Sequence, residues 1–322
     1  MLHITSVCEH NCPFCYYTSE DIIRRHQCIR VLKQIISKCA EASVKEIVFV
    51  GGDPATHPDI IELGTFAHEN GIQTTILSNT LAFPNSTIPN VIDAFNAIEV
   101  TLHSCDANKH DAFCGRVGAF DNAIANLASF VSEKTHLGIV YNLTSSTWGE
   151  LFNLVNYLVE YKHIPIDHIV LQRIAQVGRA NKNDKWELSK KDLICIFQEV
   201  ENIQNRYCLD INFEDSFPYC LIPEEYREKY AKPCSWGYES CPLDQNGNVS
   251  LCCTDPNYTL GNILETPLLE IWNSAPKLLE KRAGLFVSAK CRACQDYEKC
   301  RGGCILSSIT NECRGDRLLE QI

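Results

Sequence analysis

Short apolar runs alternate with longer amphipathic stretches through most of the chain. The runs at residues 2–7, 46–50, 73–77, 98–102, 137–142 and 168–174 are rich in Ile, Val and Leu, the signature of buried strands. In the stretches at 19–42, 60–70, 88–95, 119–132 and 148–161, apolar residues recur at intervals of three and four, which predicts helices. Six strands, each followed by a helix-length segment, predict the α/β class: a parallel sheet curled into a partial (β/α)6 TIM-like barrel. Ligands of such sheets gather at the carboxyl ends of the strands, so the residues just after each run are where chemistry is to be sought. Beyond residue 174 the pattern changes to one long helix at 188–206, a strand at 209–214, and short irregular segments from 233 onward. The boundary this predicts divides a barrel, residues 1–215, from a smaller domain, residues 216–322. No internal repeat or low-complexity tract interrupts either part.

Composition narrows the partners. The chain has 322 residues, with 29 basic against 40 acidic side chains and a formal charge of −11. Nucleic-acid binding needs a basic footprint, so it is not expected. No apolar run is long enough for a membrane span, and the first residues, MLHITSVCEH, lack a secretory signal pattern. A cytoplasmic protein is expected. In that compartment 19 cysteines point to metal or redox chemistry rather than disulfides. Cysteine also serves as a small buried hydrophobe, which covers Cys28, Cys39, Cys105 and Cys195. It does not explain clusters at both ends of the chain.

The first cluster, CEHNCPFC, follows the first strand and places Cys8, Cys12 and Cys15 at i, i+4 and i+7. A closed structural zinc or iron–sulfur site takes four protein ligands. Three thiolates on one loop suit three corners of a [4Fe–4S] cube, with one iron left open for a substrate or cofactor. This CxxxCxxC motif resembles that of the radical S-adenosylmethionine (SAM) superfamily, and the resemblance extends over nearly the whole chain. It implies a SAM-binding [4Fe–4S] cluster and S-adenosyl-L-methionine, cleaved reductively to a 5′-deoxyadenosyl radical that takes hydrogen from an unactivated carbon. It also implies that Phe14 packs near the adenine.

Further stretches carry the same resemblance. VFVGGDPATHP ends the second strand and is similar to the family's GGEP motif, with Gly51, Gly52, Asp53 and Pro54; its backbone is expected to hold the SAM ammonium, the glycines allowing close approach. Ser78 and Asn79 after the third strand, and Thr101 after the fourth, match polar SAM contacts. KHDAFCGRVGAF resembles the family's HDxxRGxxGxF, but Cys114 stands where arginine meets the SAM carboxylate, so Arg116 is expected to substitute. Gln172 and Arg173 at the sixth strand end are expected to line the pocket.

The C-terminal cysteines resemble those of the SPASM domain, which carries auxiliary iron–sulfur clusters. Cys234, twelve residues, Gly247, four residues and Cys252 form one half; Cys291, Cys294, Cys300 and Cys304, then Cys313, form the other. The resemblance implies two auxiliary [4Fe–4S] clusters, one on Cys234, Cys252 and Cys304 with Cys241 as fourth ligand, the other on Cys291, Cys294, Cys300 and Cys313. Zinc-ribbon binding is the alternative, since CxxC pairs also suit zinc.

SPASM enzymes most often modify peptides. The expected activity is hydrogen abstraction from a ribosomal precursor peptide, ending in a thioether or carbon–carbon cross-link or in epimerisation. The sulfatase-maturing members carry a basic aspartate where this chain has Cys253, which counts against that reaction. Cys253 and Cys220 are the candidate hydrogen-donating thiols, with Cys208 weaker. A small-molecule dehydrogenase acting on a sugar is the first alternative, and a non-catalytic iron–sulfur carrier or scaffold the second. The first strand begins at Leu2, so a leader-gripping domain is not expected ahead of it, and a separate leader-binding protein is a candidate partner. An electron donor such as flavodoxin or ferredoxin is required by the chemistry.

Overall fold

The run HLGIVYNL shows no alternation of polar and apolar residues, and in the structure every residue after the first is buried. A strand covered on both faces needs apolar side chains at every position, which is the condition of a parallel sheet wrapped by helices. This computed structural model describes residues 1–17, 24–180, 186–304, 316 and 318–319. Its main sheet has seven strands in sequential order: β1 (Leu2–His3), β2 (Glu46–Val50), β3 (Gln73–Ser78), β4 (Ala97–Thr101), β5 (His136–Leu143), β6 (His168–Arg173) and β7 (Asp210–Phe213). All six pairings are parallel. The expected partial barrel is therefore present, and the strand expected at 209–214 joins it as a seventh member.

The crossovers supply α1 (Ile29–Glu41), α2 (Ile60–Glu69), α3 (Ile88–Ala94), α4 (Ala107–Cys114), α5 (Ala119–Ser129), α6 (Leu151–Asn156) and α7 (Lys190–Tyr207). In α1 the buried residues are Leu32, Ile35, Ile36 and Cys39, one stripe at helical spacing facing the core. Ser189 and Asp192 form a reciprocal capping box that fixes the start of α7.

Three expectations change. The first helix begins at Ile29, not 19; residues 18–23 lie outside the described residues, and 25–26 run back along the first strand's extension, with Ser6 N–H donating to Arg25 O at 3.0 Å. The expected helix at 148–161 is a 3₁₀ turn, then α6, then a π-helical turn over Tyr157–Tyr161. Helix α4 was not expected; its sequence ANKHDAFC buries only His110 and Cys114 and so has no apolar stripe to betray it.

The C-terminal region has the hairpin β8 (Asn248–Cys252) and β9 (Asp255–Asn262), then α8 (Glu224–Tyr230) before it and α9 (Leu268–Ser274), α10 (Pro276–Arg282), α11 (Ala289–Arg292) and α12 (Tyr297–Cys300) after it. It closes the free edge of the barrel: His3 N–H donates to Leu243 O and Leu243 N–H to Met1 O, both at 2.9 Å. An open parallel edge would otherwise present unpaired backbone groups. A second tie is ionic. Arg173 at the end of β6 donates from both terminal nitrogens to Asp316, at 2.7 and 3.1 Å, and Asp316 also accepts from Cys304 N–H at 2.9 Å. No helix among the described residues is long and apolar enough to cross a membrane.

The Asp316 side chain is fully buried. Asp316→Ala strands the Arg173 guanidinium and is expected to cost about 3–5 kcal/mol. The check is the unfolding midpoint followed by circular dichroism under anaerobic conditions, with much of the loss recovered in an Asp316→Leu, Arg173→Met double variant. An unchanged midpoint in Asp316→Ala would contradict the tie.

Candidate active site

Residues 8–15 have no regular secondary structure, so neighbouring backbone must hold them. The ladder between the first two strands runs on past its formal end: Gly52 N–H donates to Thr5 O at 2.8 Å and Asp53 N–H to Val7 O at 2.7 Å. A Cβ on Gly52 would sit 2.2 Å from the Val7 oxygen, so only glycine permits this approach. The approach these glycines permit within the chain is that of the segment leading into the cysteine loop. At the other end, Gly178 has φ +57° and its Cβ would lie 2.5 Å from Cys15 O, while Arg179 N–H donates to that oxygen at 3.0 Å. A third tie comes from α4, where Cys114 O accepts from Asn11 N–H at 3.1 Å.

The carboxylate of Asp53 is buried and used up internally. It accepts from Ala55 N–H (2.9 Å), Ser78 Oγ (2.8 Å) and Asn79 N–H (2.9 Å). Burial raises its pKa, opposed by these three bonds. Asp53 and Ser78 thus lash the ends of β2 and β3 together, and Asn79 Nδ2 lies 3.6 Å from Cys8 Sγ. Pro54 starts the 3₁₀ turn that follows and is not among the residues lining the cavity.

That cavity lies at the carboxyl ends of the strands. Cys8, Cys12, Cys15, Phe14, Asn79 and Thr101 line it from the barrel side, and Gly51, Gly52, Asp53, Ser78, Gln172 and Arg173 also reach it. Phe14 packs with Phe113 (ring centroids 4.5 Å apart) and His103 (5.8 Å). Burial keeps His103 neutral. The Cys12 thiol is brought down to about 5 by a hydrogen bond with Cys114, while Cys8 is pushed up to about 12 by burial and then by Asp53.

Arg116 is not at this site. It is exposed on the turn after α4 and does not line the cavity. Arg179 does; its Nη1 donates to Asn11 Oδ1, and among the described residues its buried Nε has no hydrogen-bond partner. An orphaned guanidinium nitrogen fits a bound carboxylate. Arg173 lines the cavity too, but its charge is committed to Asp316. The sequence reading also missed Tyr16, Asn142, Glu214, Asp215 and Trp236, which share the cavity. Glu214 and Asp215 follow β7, so the strand-end rule would have found them had that strand been placed in the sheet. Burial raises the pKa of both.

From the C-terminal region, Cys253 and Thr254 reach the same cavity. The Cys253 thiol is held up first by its hydrogen bond with Cys252 and then by burial. Cys234 and Cys304 each feel the charge of Cys252, and Lys281 Nζ lies 3.8 Å from Cys234 Sγ. Cys241 is not with them; it lines a different cavity beside Cys39, its carbonyl accepting from the N-terminal amine at 3.3 Å. Cys291, Cys294 and Cys300 line a third, small cavity, where Cys220 joins them, away from the active-site cavity. Cys208 is exposed at the end of α7. Cys313 lies outside the described residues.

Residues 2–158 match the family model of the radical SAM superfamily, and residues 234–304 that of the SPASM iron–sulfur cluster-binding domain. The chain carries a radical SAM domain followed by a SPASM domain. It is 22% identical to a PqqA peptide cyclase of Methylobacterium nodulans, over 94% of this chain and 80% of that one. It is 24% identical to an AdoMet-dependent heme synthase of Methanosarcina barkeri, over 94% of this chain and 89% of the other. Its fold is similar to that of Streptococcus suis SuiB bound to S-adenosylmethionine, with TM-score 0.80 at 22% identity, covering 98% of this chain and 76% of SuiB.

The residues present fit the cofactors of this family. Cys8, Cys12 and Cys15 would hold the SAM-binding [4Fe–4S] cluster, and Arg179 lines the same cavity. The cysteines from Cys234 to Cys304 fall within the stretch that matches an iron–sulfur cluster-binding domain.

Arg179→Met is expected to weaken SAM binding roughly tenfold to a hundredfold, the worth of a charged hydrogen bond, while leaving the iron content unchanged. Arg116→Met is expected to change neither. Equilibrium binding of SAM to the anaerobic protein, with iron analysis alongside, checks both; a loss confined to Arg116→Met would return the clamp to Arg116.

Proposed function

We propose that this radical SAM enzyme modifies a ribosomally made precursor peptide by hydrogen abstraction from a peptide carbon, leading to a cross-link or to epimerisation. The observation that carries the reading is the double-walled cavity: the cysteine loop faces it from the barrel, and Cys253, Thr254 and Trp236 from the C-terminal region. When bound, the cluster and SAM supply a 5′-deoxyadenosyl radical able to attack an unactivated C–H bond. The chain's own groups do the rest. Arg179 orients a carboxylate, Phe14, backed by Phe113, offers an apolar wall, and the barrel and C-terminal walls together restrict water. Cys253 is a thiol placed to donate hydrogen to, or hold, a substrate radical, and Asp215 and Glu214 are carboxylates placed beside it to accept a proton.

The names of relatives support a peptide substrate: the cyclase acts on PqqA peptide, and SuiB has been solved with its precursor peptide SuiA. Cys234, Cys252 and Cys304 hold one auxiliary cluster in this reading, and Cys291, Cys294 and Cys300 anchor a second. A flavodoxin- or ferredoxin-type donor supplies electrons, and a separate protein presents the leader.

The test incubates the reduced holoenzyme with SAM and precursor peptides encoded beside its gene. Mass spectrometry and chiral amino-acid analysis are expected to find a peptide that has lost two hydrogens or inverted a residue, matched by 5′-deoxyadenosine. Cys253→Ala is expected to keep SAM cleavage and lose most of the product. Stimulation by a sugar or another small molecule, with no response to any peptide, would overturn the reading.

A further inference from the structure

Cys220 stands apart from the other scattered cysteines because the fold delivers it to a specific place. Pro218 leads into a 3₁₀ turn over Tyr219–Leu221, and this turn packs on the end of α12. The backbone N–H of Tyr219 donates to the Cys300 sulfur, and Ser216 Oγ donates to Cys300 O at 3.1 Å. Lys299 Nζ lies 3.0 Å from the Tyr219 hydroxyl. So held, Cys220 lines the same cavity, of about 140 Å³, as Cys291, Cys294 and Cys300, and their charges act on it. It is absent from the residues lining the active-site cavity.

A closed [4Fe–4S] cluster takes four thiolates. The CxxC-x5-C run brings three of them to this cavity, and the segment following β7 brings a fourth. We infer that Cys220, in place of the Cys313 that the resemblance implied, is the fourth ligand of the second auxiliary cluster, losing its thiol proton on binding iron, rather than a hydrogen donor to the substrate. The inference rests on the proposal that this cavity holds a cluster. Its consequence is architectural: the cluster would pin the exit of the barrel's last strand to the C-terminal cysteine run 71 residues further on, so that loading iron also sets the domain arrangement.

The experiment is differential alkylation of the anaerobic holoenzyme with iodoacetamide, mapped by mass spectrometry before and after iron chelation. Cys220 is exposed, as is Cys294, so a free thiol there would label readily. The expected result is protection of Cys220 together with Cys291, Cys294 and Cys300 in the holoenzyme, and labelling of all four after chelation. Labelling of Cys220 while the other three stay protected would overturn this inference and leave the cluster standing. Labelling of all four in the holoenzyme would overturn both. Iron analysis of Cys220→Ala gives a second readout, with loss of about four of ~12 irons expected and wild-type content contradicting the assignment.

Discussion

The site depends on backbone meeting backbone. Residues 8–15 have to present three sulfurs to one point, yet they form neither helix nor strand and cannot fix themselves. Their position comes from carbonyl oxygens at the two ends: Val7 O against Gly52 and Asp53, and Cys15 O against Gly178 and Arg179. Any side chain at Gly52 or Gly178 would drive these contacts apart by more than a van der Waals radius allows. The loop is therefore located by β2 at its start and by the turn after β6 at its end, with α4 touching its middle. Everything downstream, including which polar groups share the cavity, inherits that placement.

The other half of the site comes from closing the barrel. Seven sequential parallel strands leave β1 with a free edge, and Leu243 covers it. The Arg173–Asp316 pair then ties the end of β6 to the backbone of Cys304. These contacts put Cys253 in the same cavity as the cysteine loop, with the half-buried carboxylates of Glu214 and Asp215 lining it as well. An acidic, partly dry pocket next to a thiol suits chemistry in which a substrate carbon loses hydrogen and then either a proton or an electron.

Much of this was legible in the sequence, for physical reasons. Buried parallel strands have to be apolar at every position, so β2 to β6 were found within a residue or two. Metal ligands that share a loop have fixed spacing, which singled out Cys8, Cys12 and Cys15 and the run from Cys291 to Cys300, and each set lines a single cavity. What failed was juxtaposition between distant segments. Arg116 is near in sequence to the family's arginine position, but Gly115 turns the chain outward and Arg179, 63 residues on, reaches the cavity instead. Cys241 has a plausible spacing, but its strand-like neighbour Leu243 is spent on β1, which carries Cys241 to the far mouth of the barrel. Helix α4 was missed because a helix that buries only His110 and Cys114 has no hydrophobic period to detect.

The central claim is that three cysteines on a backbone-held loop leave one iron open for SAM. The most direct measurement is 5′-deoxyadenosine formed from SAM by the chemically reduced, iron-loaded protein, set beside the same protein with Cys12→Ala. The account predicts ~12 irons per chain in the parent and deoxyadenosine formation that disappears in the variant while the auxiliary iron remains. Full iron loading with no SAM cleavage under any reductant or substrate would contradict it, and would leave an iron–sulfur scaffold in its place.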